Sequence, residues 1–297
     1  MVKNDGSNLN SNSQNQRRIG YCFSFTASMK RLQFKNKWVM VTGASSGLGQ
    51  EISRQLAFNH QANLIIVARR EEKLTALKHE LEQGAGIQVK TIAADLSNAA
   101  DIERVLQESL TSNALYGAIL NAGVTYFGRH TALSWQQFEA ILQTNVVGVV
   151  RMTNGLVAHF EQSGREGGLM LVSSMAAIYP APYQAAYSAS KAFILSFGNA
   201  LSHELQNKDF SITVYAPGGI ATEMTAAEQF GELKSWLMPV KQAAREAIYA
   251  FAHRKYNYIP GFTNRLGSRF MALLPKKFIA GKMGVIYLKS LMKMDGR

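Results

Sequence analysis

The stretch SSMAAIYPAPYQAAYSASKAF, residues 173–193, sets Tyr187 and Lys191 four positions apart, with Ser174 thirteen residues upstream of the tyrosine. A phenol titrates at about 10, so one that exchanges protons near neutrality needs a nearby cation to favour its phenolate. On a helix, residues i and i+4 share a face, which would bring the Lys191 ammonium beside the Tyr187 ring. Helices hold many such pairs by chance. The elements that would position this one therefore decide whether it does chemistry.

Those elements are legible as six short apolar runs: WVMVT (38–42), NLIIVA (63–68), VKTIAA (89–94), LYGAIL (115–120), GLMLVS (168–173) and FSITVY (210–215). Helical stretches alternate with them, among them GLGQEISRQLAF, EEKLTALKHELE, AADIERVLQESL, one long helix over 135–160 and another over about 184–206. The alternation predicts an α/β fold: a single doubly wound parallel β-sheet, Rossmann-like, with helices on both faces. Apolar runs without strict polar alternation fit strands buried on both sides. Such sheets bind ligands beyond the C-terminal ends of their strands.

Directly after the first strand comes TGASSGLG, with Gly43, Gly47 and Gly49 around Ser45, Ser46 and Leu48. Glycines here permit a tight turn, let backbone approach a pyrophosphate, and open a helix whose N-terminal N–H groups attract the anion. After the second strand, where an acid would hold a free ribose 2′-hydroxyl, stands Ala68, followed by Arg69 and Arg70. Arginine matches a 2′-phosphate, which points to NADP(H), although the pair also suits the exposed start of a helix. Asp95, in AADLS with Leu96, follows the third strand and is placed for the adenine edge. Asn121, Ala122 and Gly123 end the fourth, where backbone can pass beside a cofactor.

With TGASSGLG, NAG, Asn145 in QTNVVG, Ser174, YSASK and PGGIAT (217–222) in this order, the chain resembles the short-chain dehydrogenase/reductase family over about residues 36–260. The resemblance implies NADP(H)-dependent hydride transfer with Asn145, Ser174, Tyr187 and Lys191 as the catalytic set. Ser174 would hold the substrate carbonyl oxygen beside the Tyr187 hydroxyl, and Lys191 would also bond the nicotinamide ribose. Asn145 would hold a water that relays protons from Lys191. Thr222 would contact the nicotinamide carboxamide, with Pro217, Gly218 and Ile220 shaping the turn beneath the ring. Two departures stand out. Gly219 replaces a bulkier residue, which would loosen that turn, and Ser173 adjoins Ser174, although spacing to Tyr187 favours Ser174. The family also implies a homodimer or homotetramer paired through the helices of 135–160 and 184–206, where Phe193, Leu195 and Phe197 are apolar.

Substrate would enter between Met175, Ile178, Tyr179 and Pro182 on one side and Met224, Trp236, Leu237 and Met238 on the other, with Tyr126 and Phe127 nearby. These residues serve a pocket wall or the core equally well. As a wall they suit a small apolar carbonyl or alcohol: a 3-oxoacyl group, a sterol-like ketone or an aldehyde. Reduction is the favoured direction with NADPH as donor. A non-catalytic dinucleotide sensor or membrane-surface scaffold is the competing reading, against which the intact catalytic set argues.

The net charge of +12 sits at the ends. Residues 1–37 carry seven Lys/Arg and one acid, residues 254–297 carry ten and one, and 38–253 carry 15 basic and 18 acidic residues. A reader of nucleic acid would carry its basic patch on the folded domain, so no nucleic-acid partner is expected. Residues 1–35 read as a disordered polar and basic extension, with the start open between Met1 and Met29, 36–260 as the catalytic domain and 261–297 as a basic, apolar helical extension. In that extension Lys282, Lys289 and Lys293 fall on one helical stripe, with Met283, Val285, Ile286, Leu288 and Met292 elsewhere on the helix. The stripe allows either peripheral contact with an anionic membrane or packing on the domain. On the membrane reading, deletion of 280–297 leaves the domain intact. Cys22 is the single cysteine, so neither an internal disulfide nor a thiolate-rich metal site is available, no metal is expected, and a reducing compartment, the cytoplasm, is indicated. No secretory signal or membrane-spanning apolar run is apparent.

Overall fold

The computed structural model describes residues 29–111, 114–223 and 237–294, without the side chains of Lys293 and Met294. Among these residues seven parallel strands form one sheet in the order β3-β2-β1-β4-β5-β6-β7. They are β1 (Trp38–Thr42), β2 (Asn63–Ala68), β3 (Val89–Ala93), β4 (Leu115–Leu120), β5 (Gly167–Val172), β6 (Phe210–Tyr215) and β7 (Asn257–Tyr258). The predicted doubly wound sheet is the one observed, and β7 extends it, pairing with Val214 and Tyr215. Two residues are too few to carry a hydrophobic period, so β7 had no signal in the sequence.

Successive side chains of a strand point to opposite faces, and both faces here are apolar. Val39, Val41, Leu64 and Ile66 face one core with α1 (Gly47–His60), α2 (Glu71–Ala85) and α7 (Val240–Ala252). Met40, Ile65 and Val67 face the other, with α3 (Ala99–Leu110), α5 (Val149–Ser163) and α6 (Ala185–Glu204). Val39, Met40 and Val41 are fully buried, each worth about 1.5–3 kcal/mol of apolar burial.

The helix expected over 135–160 is broken in pitch. It begins as α4 (Trp135–Leu142), with a Ser134/Gln137 capping box, widens into a π-helical segment at Gln143–Gly148, and resumes as α5. Such π segments recur at functional sites, and this one carries Asn145. The core also starts before residue 36. Leu32 and Phe34 are buried, the Leu32 N–H donates to the Ala252 carbonyl, and Phe34 stacks on Phe251 at 5.6 Å, so 29–35 belong with the domain. Residues 1–28 of the expected extension lie outside the described residues. The chain ends in α8 (Phe262–Met271) and α9 (Lys276–Met294). No described helix is long and apolar enough to cross a membrane.

Candidate active site

The carboxyl ends of β1, β4 and β5 meet at one edge, and the loop after β1 is shaped for close approach. Gly43 and Gly47 adopt left-handed φ values of 69° and 56°. A Cβ on Gly43 would lie 2.9 Å from the Ala122 Cα, and one on Gly49 would lie 2.4 Å from the Gly43 carbonyl oxygen. Side chains there would force the loop away from β4 and from α1. Thr42 Oγ1 accepts from the N–H groups of Asn121 and Ala122 at 3.0 and 3.1 Å, fastening the two strand ends together. At Ser46 no side chain caps α1, so its first N–H groups and its dipole remain for an anion.

A cavity of about 590 Å³ opens here. The loop residues Gly43, Ser45, Ser46, Gly47 and Leu48 form one wall, and Arg69, Arg70, Asp95 and Leu96 form another. Asn121, Ala122 and Gly123, Ser174, Tyr187 and Lys191, and Pro217, Gly218, Ile220 and Thr222 complete the lining, with Pro217 beside Ser174, whose hydroxyl donates to the Pro217 carbonyl at 3.4 Å, and Thr222 beside Gly47. Gly49 is not on the wall; it acts by packing. Asn145 is fully buried behind it.

The two arginines differ. Arg70 donates through Nε and Nη2 to Ser45 Oγ at 3.2 and 3.1 Å, and through Nη1 to Glu223 at 3.2 Å. Lys73 pairs with the same carboxylate at 3.0 Å, and these two cations hold Glu223 below the usual carboxylate range. Arg69 is exposed, and its side chain makes no hydrogen bond or ion pair among the described residues. Asp95 accepts from the Ser97 N–H and hydroxyl at 3.0 and 2.8 Å, which holds the turn after β3.

At the other end, Tyr187 and Ser174 line the same part of the cavity, and the Ser174 hydroxyl accepts from the Ala176 N–H at 3.1 Å. Tyr187 lines the cavity and is half-buried, yet desolvation dominates and pushes the phenol pKa up, with the Ser174 side chain opposing. The expected depression by Lys191 is therefore not what this geometry gives. Lys191 Nζ donates to the Val172 carbonyl at 3.0 Å and stands 5.9 Å from the ring centroid, while its own burial lowers its pKa to about 8. Asn145 Oδ1 accepts from the Val124 N–H at 2.8 Å, and Nδ2 donates to Val124 O and Ser190 Oγ at 2.9 and 3.0 Å. Gly123 sits between: a Cβ there would lie 3.2 Å from Asn145 Oδ1 and 3.3 Å from Lys191 Nζ.

The neighbouring serines are divided by their bonds. Ser173 gives its hydroxyl to the Lys191 main-chain carbonyl at 2.8 Å, whereas Ser174 caps the 3₁₀ turn Met175–Ala177 and shares the cavity lining with Tyr187. Gly219 does not loosen its turn. A Cβ there would lie 2.6 Å from Leu237 Cδ2, and the segment is tied by Met238 N–H to Gly219 O at 2.9 Å and Ala221 N–H to Met238 O at 3.0 Å.

Of the expected pocket lining, Met175, Tyr179 and Leu237 lie on the cavity. Ile178, Pro182, Met238, Tyr126 and Phe127 do not, and Met224 and Trp236 fall outside the described residues. Sequence reasoning missed the far wall: Asn264 and Met271 of α8, and Ile279, Met283 and Tyr287 of α9. The two helices are anchored there. Tyr179 Oη donates to Ser268 O at 2.5 Å, and Tyr287 packs edge-on against Phe127 at 5.4 Å. The apolar residues of the tail were a signal, but their period does not say which surface they cover.

Residues 37–232 match the sequence profile of the short chain dehydrogenase family. A curated relative, 17-beta-hydroxysteroid dehydrogenase type 3 of Mus musculus, is 33% identical over 70% of this chain and 67% of its own length. The inactive hydroxysteroid dehydrogenase-like protein 1 of Homo sapiens is 29% identical over 68% and 62%. Among solved structures, a short-chain dehydrogenase from Sphingobium yanoikuyae in complex with NADPH superposes with a TM-score of 0.72 at 26% identity, over 80% of this chain and 92% of that one. A 3-ketoacyl-(acyl-carrier-protein) reductase from Brucella melitensis complexed with NADH shares the fold, with a TM-score of 0.68 at 24% identity, over 76% and 95%. A glycine loop feeding α1, a tyrosine and lysine on α6, and these likenesses converge: the chain belongs to the short-chain dehydrogenase/reductase family of nicotinamide-dinucleotide oxidoreductases acting on hydroxyl or carbonyl groups.

Proposed function

We propose that the protein is an NADP(H)-dependent reductase of an apolar carbonyl compound, with Tyr187 as proton donor. The observation that carries this reading is that Tyr187, Ser174 and Lys191 line one cavity with the glycine loop and Arg70, where burial pushes the phenol pKa up. A phenol kept protonated is ready to give a proton to an oxygen that gains charge. Ser174 steadies that oxygen, and the Lys191 ammonium then stabilises the phenolate left on Tyr187. Asn145 holds the Val124 backbone and, beside Gly123, the side of the site near Lys191.

The cradle suits a dinucleotide: the left-handed glycines, the uncapped start of α1 and the close packing at Gly49 leave room for backbone, not side chains, beside a pyrophosphate. Bound there, the nicotinamide supplies the hydride. Ser45, Ser46, Gly47 and Leu48 would hold the pyrophosphate, Arg70 the 2′-phosphate, Asp95 and Leu96 the adenine, and Asn121 to Gly123 with Ile220 and Thr222 the nicotinamide half. The NADPH-bound relative favours NADP(H), whereas the NADH-bound one shows that the fold alone does not choose. Arg70 is what favours it here.

The wall of Met175, Leu237, Met271, Ile279 and Met283 supports an apolar substrate, and the hydroxysteroid dehydrogenases among the relatives fit a sterol-like ketone. Exposed Trp135 on α4 and Phe193 on α6 support a homo-oligomer through these helices, and the single cysteine supports the cytoplasm. A screen of carbonyl compounds with NADPH and with NADH, followed by loss of reduced-nicotinamide absorbance, tests the reading. No turnover with any apolar ketone, aldehyde or 3-oxoacyl thioester would favour the non-catalytic alternative, which the inactive human relative makes a concrete one.

A further inference from the structure

The outer side of the α8–α9 layer is apolar and exposed. Phe262, Leu266 and Phe270 recur every four residues on α8, so they share one stripe. Leu273 and Leu274 in the following turn and Phe278 at the start of α9 continue it. These six side chains are between 43 and 82% exposed. Soluble proteins rarely leave such a run of large apolar groups in water unless something covers it. The opposite side of α8 is already used, with Ser268 buried and Asn264 and Met271 on the cavity.

We propose that this stripe is a docking surface for an anionic lipid bilayer. The argument for that occupant is charge. From Ala247 to Met294 the sequence contains no Asp or Glu, while Arg269, Lys276, Lys277 and Lys282 are exposed around the stripe. Lys282 Nζ lies 5.6 Å over the Phe278 ring, so cation and apolar group share one surface. Arg265 is committed elsewhere, to Glu246 at 3.0 Å. A second copy of this chain docked face to face would press these cations against their own symmetry mates. A surface of anionic headgroups instead pairs with them, and the aromatic and leucine side chains enter the headgroup–acyl boundary. The lysine stripe of α9 is thus not the docking element by itself: Lys282 and Lys289 are exposed, but Met283 between them points to the cavity. Because Met271 and Ile279 of the same helices wall the cavity, a docked bilayer lies one helix layer from it.

The test is co-sedimentation of the full chain with vesicles of pure phosphatidylcholine and with vesicles containing about one third phosphatidylglycerol, at low and high salt. The expected result is binding to the anionic vesicles at low salt, weakened by salt and absent from the neutral ones. Phe270→Glu/Leu273→Glu and, separately, Lys276→Ala/Lys277→Ala are each expected to lower vesicle affinity about tenfold or more with unchanged circular dichroism and thermal midpoint. Neither pair touches the cavity, so the measurement stands apart from turnover. The proposal is overturned by equal binding to both vesicle types, by no binding, or by variants that bind as the parent does. It is also overturned if Phe270→Glu/Leu273→Glu splits an oligomer of the parent in light scattering, which would make the stripe a contact between copies.

Discussion

Lys191 donates to the main-chain carbonyl of Val172 at 3.0 Å rather than to the phenol of Tyr187, whose ring centroid lies 5.9 Å away. With the cation turned aside, burial governs the phenol and keeps it protonated. Tyr187→Phe keeps the ring and removes the proton, so turnover should drop by about 10²-fold or more while nicotinamide-cofactor affinity holds. Single-turnover kinetics with a cofactor titration measures both. Retention of more than about a tenth of turnover would remove Tyr187 from the role of acid.

Lys191 also leaves a signature in stability. Its pKa is lowered from 10.5 to about 8 by desolvation, so between these values the unfolded chain binds a proton that the folded chain does not. Stability from this group therefore rises with pH across that window, and the penalty is full below about 8. Lys191→Met should raise the thermal midpoint of the cofactor-free protein at pH 7, by a gain that shrinks toward pH 10 as turnover is lost at both. A midpoint that falls at pH 7, or a gain independent of pH, would contradict a charged buried lysine.

Arg70 and Glu223 make a second prediction about charge. The carboxylate of Glu223 lies where Arg70 and Lys73 converge, so an incoming 2′-phosphate must replace it. Arg70→Ala should weaken NADPH by about 1–3 kcal/mol and leave NADH nearly unchanged, and Arg69→Ala should do less. Glu223→Gln should tighten NADPH selectively. Fluorescence titration of both cofactors decides; equal losses for the two in Arg70→Ala would mean that this arginine does not read the 2′-phosphate.

What was legible in the sequence was local. The strands announced themselves by apolar runs, and the glycine loop, Ser174, Tyr187 and Lys191 by residue types whose backbone or chemistry admits few substitutes. Three features were not, each for a physical reason. The π-helical turn at Asn145 keeps an ordinary helical period on either side. The choice of Arg70 over Arg69 depends on reaching Ser45, 25 residues away. The destination of the tail depends on Phe127 and Tyr179, which receive α8 and α9 through Tyr287 and Ser268 over long chain separations. Helical periodicity marks a face but not its partner.

That last contact gives the prediction that most separates the structure from the sequence pattern. A dispensable basic tail would leave the domain intact when residues 280–297 are removed. In the structure that deletion takes away Met283 and Tyr287 from the cavity wall, the edge-on pair with Phe127, and buried Ser290. Gly284 also leaves Pro182, against which even a Cβ would come within 3.3 Å. The glycine loop and Arg70 make none of these contacts, so cofactor affinity should change little. Substrate KM for an apolar ketone should rise by about tenfold or more, and the thermal midpoint should fall, since lost aromatic packing and an opened apolar wall both act in that direction. Tyr287→Ala is the gentler version and should shift KM the same way, because its ring shares the cavity wall with Tyr187, where burial and then the neighbouring Tyr187 push its phenol pKa up. An unchanged KM in both variants would place substrate away from α9 and return the tail to the surface.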